Sequence, residues 1–191
     1  PDLTLKNQDG RDVTLSKVWD KSIVVLYFYP MDDTPGCTKQ ACFFRDMNQE
    51  FRNAGAEIIG VSVDDAASHK KFAQKHNLPF TLLADPEKQA VERYGVKSKL
   101  FFGKARRVTF VIDRGGVIRK IYPDVDVSLH SREVLERVVE AFGDDVLETV
   151  IGRTVKFPDA SVSGVPITQF APEHAAAQAY LRLARELVAR G

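Results

Sequence analysis

The chain has two cysteines, Cys37 and Cys42, five residues apart in one short segment. Cys37 follows Pro35-Gly36 and opens the segment Thr38 to Asn53. There Ala41, Phe44, Met47 and Phe51 recur at helical spacing, with Gly55 just past the end. The first turn of a helix has unpaired N–H groups and a partial positive charge, and both favour a thiolate. An ordinary thiol, with a pKa of about 8.5, is only a few per cent ionised at pH 7. Full ionisation gains roughly 30-fold in nucleophile, about 2 kcal/mol of barrier, and part of that is lost because nucleophilicity falls with pKa. A fast enzyme therefore needs more than a thiolate: it must orient a substrate and stabilise charge on a leaving group. Thr34, three residues before Cys37, has a hydroxyl that both donates and accepts. Pro30 ends the preceding apolar run and shapes the loop. Arg107 opens a later apolar run, where a guanidinium would pair with the thiolate. Arg106 is its rival, and the Arg-Val-Thr-Phe spacing favours Arg107.

Cys42 admits two readings. Positions i and i+5 of a helix lie about 7.5 Å apart along the axis and about 140° apart around it, whereas a disulfide needs Cα atoms within about 7 Å. Either the pair never bonds, or the first turns of the helix unwind so that an oxidised thiol is captured by its neighbour. The plain alternative is a small buried hydrophobe, and Cys42 sits among Ala41, Phe43 and Phe44.

The elements that would hold these residues alternate between strand and helix. Ser22 to Tyr29 is a β-branched and aromatic run without period-2 polarity, as in a strand buried on both faces. Strands are expected at Glu57 to Val63, Thr81 to Ala84, Val108 to Ile112 and Val117 to Tyr122, the last two joined by the turn Asp113-Arg114-Gly115-Gly116. Helices are expected at Ala66 to His76, from Asp85-Pro86 to Tyr94, and at Ser131 to Phe142 with Val134, Leu135, Val138 and Val139 inward. This order implies an α/β fold with a mixed central sheet flanked by helices. Beyond Gly143 the character changes. Phe157 to Pro172 reads as loop with three prolines, and Pro172 to Arg190 as a helix with Tyr180, Leu183, Ala184, Leu187 and Val188 in one stripe. The expected organisation is a domain at 1–143 and an extension at 144–191.

At 191 residues the chain can bury a sizeable core. Lys plus Arg (27) against Asp plus Glu (26) leaves a net charge of +1, which argues against a nucleic-acid binder. Two cysteines are too few for a disulfide scaffold or a closed structural zinc site. The run Ile23 to Pro30 is far shorter than the ~20 residues of a membrane span, so no membrane helix is expected. The chain opens on Pro1, so any targeting segment is expected to lie outside it. The histidines (His69, His76, His130, His174) fall in polar segments and are expected at the surface, as are Asp32 and Asp33.

Pro30-Met31-Asp32-Asp33-Thr34-Pro35-Gly36-Cys37 resembles the peroxiredoxin active-site pattern Pro-x-x-x-Thr/Ser-x-x-Cys. The longer stretch PMDDTPGCTKQACFFRD is similar to the Q-type branch, also called the bacterioferritin comigratory protein type. The resemblance continues through Gly60 to Asp64, Leu82 to Asp85 and Arg107 to Asp113, and covers about residues 1–142. It implies a thioredoxin-like fold with an N-terminal hairpin, and reduction of hydrogen peroxide and organic hydroperoxides. It implies Cys37 as the peroxidatic cysteine, Cys42 as the resolving cysteine that closes an intramolecular disulfide, and Thr34, Pro30 and Arg107 as the pocket. Thioredoxin or a similar dithiol is the implied reductant, with no metal, haem, selenium or flavin. The implied compartment is the cytoplasm, or a plastid or other organelle with a thioredoxin system. A monomer is expected, with a dimer through 144–191 as the alternative. Two departures stand out: Lys99 to Arg106 is short and basic, and 144–191 has no counterpart. Two other classes remain open, a thiol-disulfide oxidoreductase, against which the missing Cys-x-x-Cys counts, and a chaperone or scaffold that uses the extension.

Overall fold

The apolar run after Ser22 forms the middle of a seven-stranded sheet. In chain order the strands are β1 (Thr4–Asn7), β2 (Asp12–Thr14), β3 (Ile23–Phe28), β4 (Ala56–Ser62), β5 (Thr81–Ala84), β6 (Val108–Ile112) and β7 (Ile118–Tyr122). Their spatial order is β2-β1-β5-β4-β3-β6-β7. β3 pairs in parallel with β4, and β4 with β5; β6 runs antiparallel to β3, and β1 antiparallel to β5. β1 and β2 form the N-terminal hairpin. All six residues of β3 are buried, as are all five of β6. This is why neither run shows the alternation of a half-exposed strand. The computed structural model describes residues 1–98, 103–123, 125–142 and 154–190, with backbone alone at 186, 187, 189 and 190. The expected mixed, thioredoxin-like α/β sheet flanked by helices is present.

The helices are α1 (Leu15–Trp19), α2 (Pro35–Asp46), α3 (Asn48–Asn53), α4 (Ala66–His76), α5 (Gln89–Arg93), α6 (His130–Phe142), α7 (Lys156–Val162), α8 (Ile167–Phe170) and α9 (Ala175–Arg190). The single helix expected over Thr38 to Asn53 starts three residues earlier and breaks at Met47, whose backbone sits at φ −100° and ψ 9°. Pro35 takes the first helical position, where its missing N–H costs nothing. α4 has the expected bounds: the Asp65 side chain accepts from the Ser68 N–H at 2.8 Å, and Asn77 closes the helix at φ 51°. In α6, Val134 and Val138 are buried, but Val139 is 50% exposed and does not face inward.

The chain divides into two compact units, Pro1–Ala141 and Phe142–Gly191. The loop expected over Phe157 to Pro172 is in fact largely helical, as α7 and α8. Pro158 lies in the first turn of α7 and Pro166 at the N-cap of α8, positions where proline does not interrupt helical hydrogen bonds. α9 forms within the expected span but buries another face. Ala176, Ala177 and Ala179 are buried, whereas Tyr180 is 45% and Val188 83% exposed and Ala184 is exposed. Leu183 is half-buried, and the Leu187 side chain lies outside the described residues. The core of this unit is Ala160, Ile167, Ala176 and Ala177 with Phe157 packed against them. Among the described residues, no helix is long and apolar enough to cross a membrane.

Candidate active site

Sheet register brings the site together. Phe28, the last residue of β3, pairs with Val108, the first of β6. The chain leaving β3 through Tyr29 and Pro30 therefore runs beside Arg107. Pro30 is half-buried at this exit. Thr34 is the N-cap of α2, in extended conformation at φ −83° and ψ 149°. Its hydroxyl does not cap the helix but donates to the Met31 carbonyl at 3.2 Å, while its carbonyl accepts the Thr38 N–H at 2.8 Å. Cys37 is the third residue of α2 and is 2% exposed.

Arg107 Nη2 lies 3.4 Å from Cys37 Sγ. Its Nη1 donates to Gln40 Oε1 at 2.5 Å, so a glutamine one helical turn past Cys37 fixes the guanidinium plane. Gly36 leaves the room this needs: a Cβ there would sit 3.3 Å from Arg107 Nη2. Arg106 points elsewhere, donating to the Gly95 carbonyl at 3.3 Å. The sulfur thus faces both a helix N-terminus and a guanidinium, two positive ends placed to receive charge developing on an oxygen bonded to it.

Cys42 is half-buried on the same unbroken helix. Helical geometry separates its Cα from that of Cys37 by about 8.7 Å, beyond the reach of a disulfide, and both thiols are free. The structure therefore brings Cys37 and Arg107 into contact, sets Thr34 and Pro30 on the loop leading to them, and leaves Cys42 apart. Residues 99–102 of the short basic segment before Arg107 lie outside the described residues.

Several contributors escaped the sequence reading. Gln40 is 1% exposed, and its Nε2 has no partner among the described residues; its i, i+3 spacing from Cys37 was the available signal. Tyr27 is buried with its hydroxyl lying over Gly60, where a Cβ would come within 2.7 Å of it. Burial, followed by the charges of Cys37 and Asp32, pushes the Tyr27 phenol well above its usual range against the pull of Arg107. His130 and His69 are not surface residues: they are 1% and 0% exposed. His130 Nε2 lies 2.7 Å from Thr109 Oγ1, and its ring meets Phe44 and Tyr122 edge-on at 5.8 and 5.2 Å. Burial first and the Arg107 charge second lower the His130 pKa to about 4, so the ring is neutral at pH 7. Asp32 is also not a solvated loop residue. It is 8% exposed and meets His69 Nδ1 at 2.9 Å, while Asp33 is exposed and holds Lys75 at 2.7 Å and His76 at 3.0 Å. Among the described residues, no group of three His, Cys, Asp or Glu side chains is arranged to hold a metal.

The AhpC/TSA family model matches residues 1–121. Peroxiredoxin Q, chloroplastic, of Triticum aestivum is 57% identical over 122 residues, which cover 64% of this chain and 56% of that protein. The Arabidopsis thaliana protein of the same name is 54% identical over the same length. The chain thus spans little more than half the length of these curated relatives. Among solved structures, peroxidoxin BcpB of Mycobacterium tuberculosis superposes with a TM-score of 0.69 at 33% identity, covering 73% of this chain and 93% of that one. Peroxiredoxin Q of Xanthomonas campestris gives 0.68 at 32% identity, covering 72% and 90%. With the helix-borne cysteine, the arginine beside it and the sheet that sets them together all falling inside the matched region, the chain belongs to the AhpC/TSA family, in its peroxiredoxin Q branch.

Proposed function

We propose that the chain is a thiol-dependent peroxidase acting on hydrogen peroxide and organic hydroperoxides, with Cys37 as the peroxidatic cysteine. The observation that carries the reading is the guanidinium of Arg107, 3.4 Å from a buried sulfur in the first turn of α2. The Cys37 thiolate attacks one peroxide oxygen. The O–O bond breaks, and the leaving oxygen takes a proton and departs as water or an alcohol, leaving a sulfenic acid on Cys37. Arg107 faces the charge that moves from sulfur to oxygen, while Gln40 holds it in plane. Thr34 and Pro30 shape the entrance.

The second half of the cycle falls to Cys42. Its thiol attacks the sulfenic sulfur, water leaves, and a Cys37–Cys42 disulfide forms. The 8.7 Å or so between the two Cα positions in an intact helix means that α2 must unwind around Cys37 first. Thioredoxin or a similar dithiol then restores both thiols by exchange. The plant relatives are named chloroplastic, which supports a plastid with a dithiol system as the compartment. The chemistry lies within the unit Pro1–Ala141, and we assign the second unit to stability or assembly. Peroxide turnover with thioredoxin as electron donor, measured across several peroxides, tests the reading; no turnover with any of them, in protein whose thiols are reduced, overturns it.

A further inference from the structure

The loop that carries Pro30 to Thr34 is fastened from beneath by a buried charged group that the reaction above does not use. The Asp32 carboxylate receives hydrogen bonds from Tyr29 Oη at 2.7 Å and Ser68 Oγ at 2.7 Å, and faces His69 Nδ1 at 2.9 and 3.1 Å. Its backbone N–H donates to Asp64 Oδ2 at 2.9 Å, and that oxygen also accepts from Ser62 Oγ at 2.6 Å. Burial works against the Asp32 carboxylate, yet His69, Ser68 and Tyr29 hold it below the usual range. His69 is fully buried, and its second nitrogen, Nε2, lies 3.1 Å from the Leu83 carbonyl oxygen on β5. His69 Nδ1 also lies 3.4 Å from Tyr29 Oη, so one buried ring joins the chain leaving β3, the loop at Asp32 and β5.

The same helix holds the chain at two further points. Asp33 meets Lys75 and His76. On the far side of both cysteines, Arg45 Nη1 donates to the His76 carbonyl at 2.9 Å. α4 thus grips the chain at 32–33 and again at 45, and the stretch between contains Cys37 and Cys42.

We propose that His69 is a positioning residue: as a fully buried ring bridging Asp32 and the Leu83 carbonyl, it fixes the loop before Cys37 to α4, so that unwinding of α2 starts after Asp33 and spares the loop that forms the pocket. This rests on the peroxidase reading above. It separates the two chemical steps. Attack on peroxide needs the loop and the first turn of α2 in place, whereas disulfide closure needs that turn opened. Loss of the fastening penalises the first step and not the second.

The test compares His69→Gln with the unmodified residue in two backgrounds. With Cys42→Ser, the rate of sulfenic acid formation on adding hydrogen peroxide should fall at least tenfold. With both cysteines present, the rate of disulfide closure after oxidation should be unchanged or higher. Amides 31–34 and 36 should exchange faster in the reduced variant. A residue with a merely structural role lowers the unfolding midpoint and leaves both rate constants as they were below it; that result overturns the proposal. If the Cys42→Ser background with His69 intact ignores peroxide, the peroxidase reading itself fails, a result distinct from the first. A second variant stands if His69→Gln does not fold. Ser68→Ala, which removes one donor to Asp32, should slow the first step two- to threefold, and an unchanged rate counts against the fastening.

Discussion

The units Pro1–Ala141 and Phe142–Gly191 bury their interiors in different ways. In the first, β3 alone buries Leu26, Tyr27 and Phe28 completely, and the core also encloses Asp32, Gln40, His69, Thr109, Asp113 and His130. In the second, the core is three alanines and Ile167 with Phe157 against them, while Val155 and Val162 are 74% and 91% exposed. Every buried polar or charged side chain among the described residues belongs to the first unit. Such groups are tolerated only with partners at fixed distances, because an unpaired one costs more than its bond returns. A packed sheet supplies those distances through register; a few small side chains between short helices do not. On the peroxidase reading, reactive chemistry belongs to the first unit because register holds its buried polar groups at fixed distances.

The largest expected effect is in the buried sulfur. Cys37→Ser should abolish peroxide consumption, measured by loss of added hydrogen peroxide. Next is the guanidinium: Arg107→Gln keeps a donor of shorter reach but loses the charge. It should lower the rate constant for peroxide about 100-fold, the scale of removing one donor to a developing oxyanion. Stopped-flow oxidation of the reduced protein measures it, and a loss under threefold would show that Arg107 does not face the reacting atoms. Third, closing the Cys37–Cys42 disulfide should speed amide exchange across residues 37–45 well beyond that of the reduced protein. Equal protection in both forms would mean that the helix need not open.

His130 gives the fourth effect, a pH dependence within the first unit. Its folded pKa of about 4 lies below the ordinary 6.5. Between these values the unfolded chain binds the proton and the folded chain does not, so stability falls as pH falls from about 6.5 to about 4. The difference corresponds to roughly 3 kcal/mol. Asp32 adds a loss at still lower pH: its carboxyl is held below the usual range, so the stability it contributes is present above about 3.9 and disappears as pH drops through its folded value. Urea unfolding at pH 7 and pH 4.5 measures the first slope, which His130→Gln should flatten. The smallest effect is expected from the second unit. A chain ending at Gly143 should keep peroxidase activity within a few-fold while its melting temperature or molecular mass changes. A loss above a hundredfold with the first unit still folded would reverse the comparison.

What could be read beforehand is what each segment signals locally. β5, β6 and α4 have the bounds expected from their residue runs, because each carries its signal locally: an apolar run, or an Asp65 cap with an Asn77 stop. The buried histidines were not legible, since a histidine in a polar stretch reads as surface until its partner is known. For His69 that partner is Asp32, 37 residues away, and for His130 it is Thr109, 21 residues away. The stripe expected on α9 failed because close helix contact favours small side chains: Ala176 and Ala177 are buried, and the larger Tyr180 and Val188 are left outside. Pro158 and Pro166 read as loop because proline breaks helix interiors, yet both stand at helix starts. The position of Arg107 beside Cys37 follows from β6 running antiparallel to β3, a pairing that no local pattern announces.

The central claim is that one buried sulfur, held by α2 and Arg107, performs the first chemical step by itself. The direct measurement is mass spectrometry of the reduced Cys42→Ser protein after one equivalent of hydrogen peroxide in the presence of a sulfenic-acid trap. One equivalent consumed, with the label on Cys37, is the predicted result. No consumption, or consumption with Cys37 unlabelled, would contradict it.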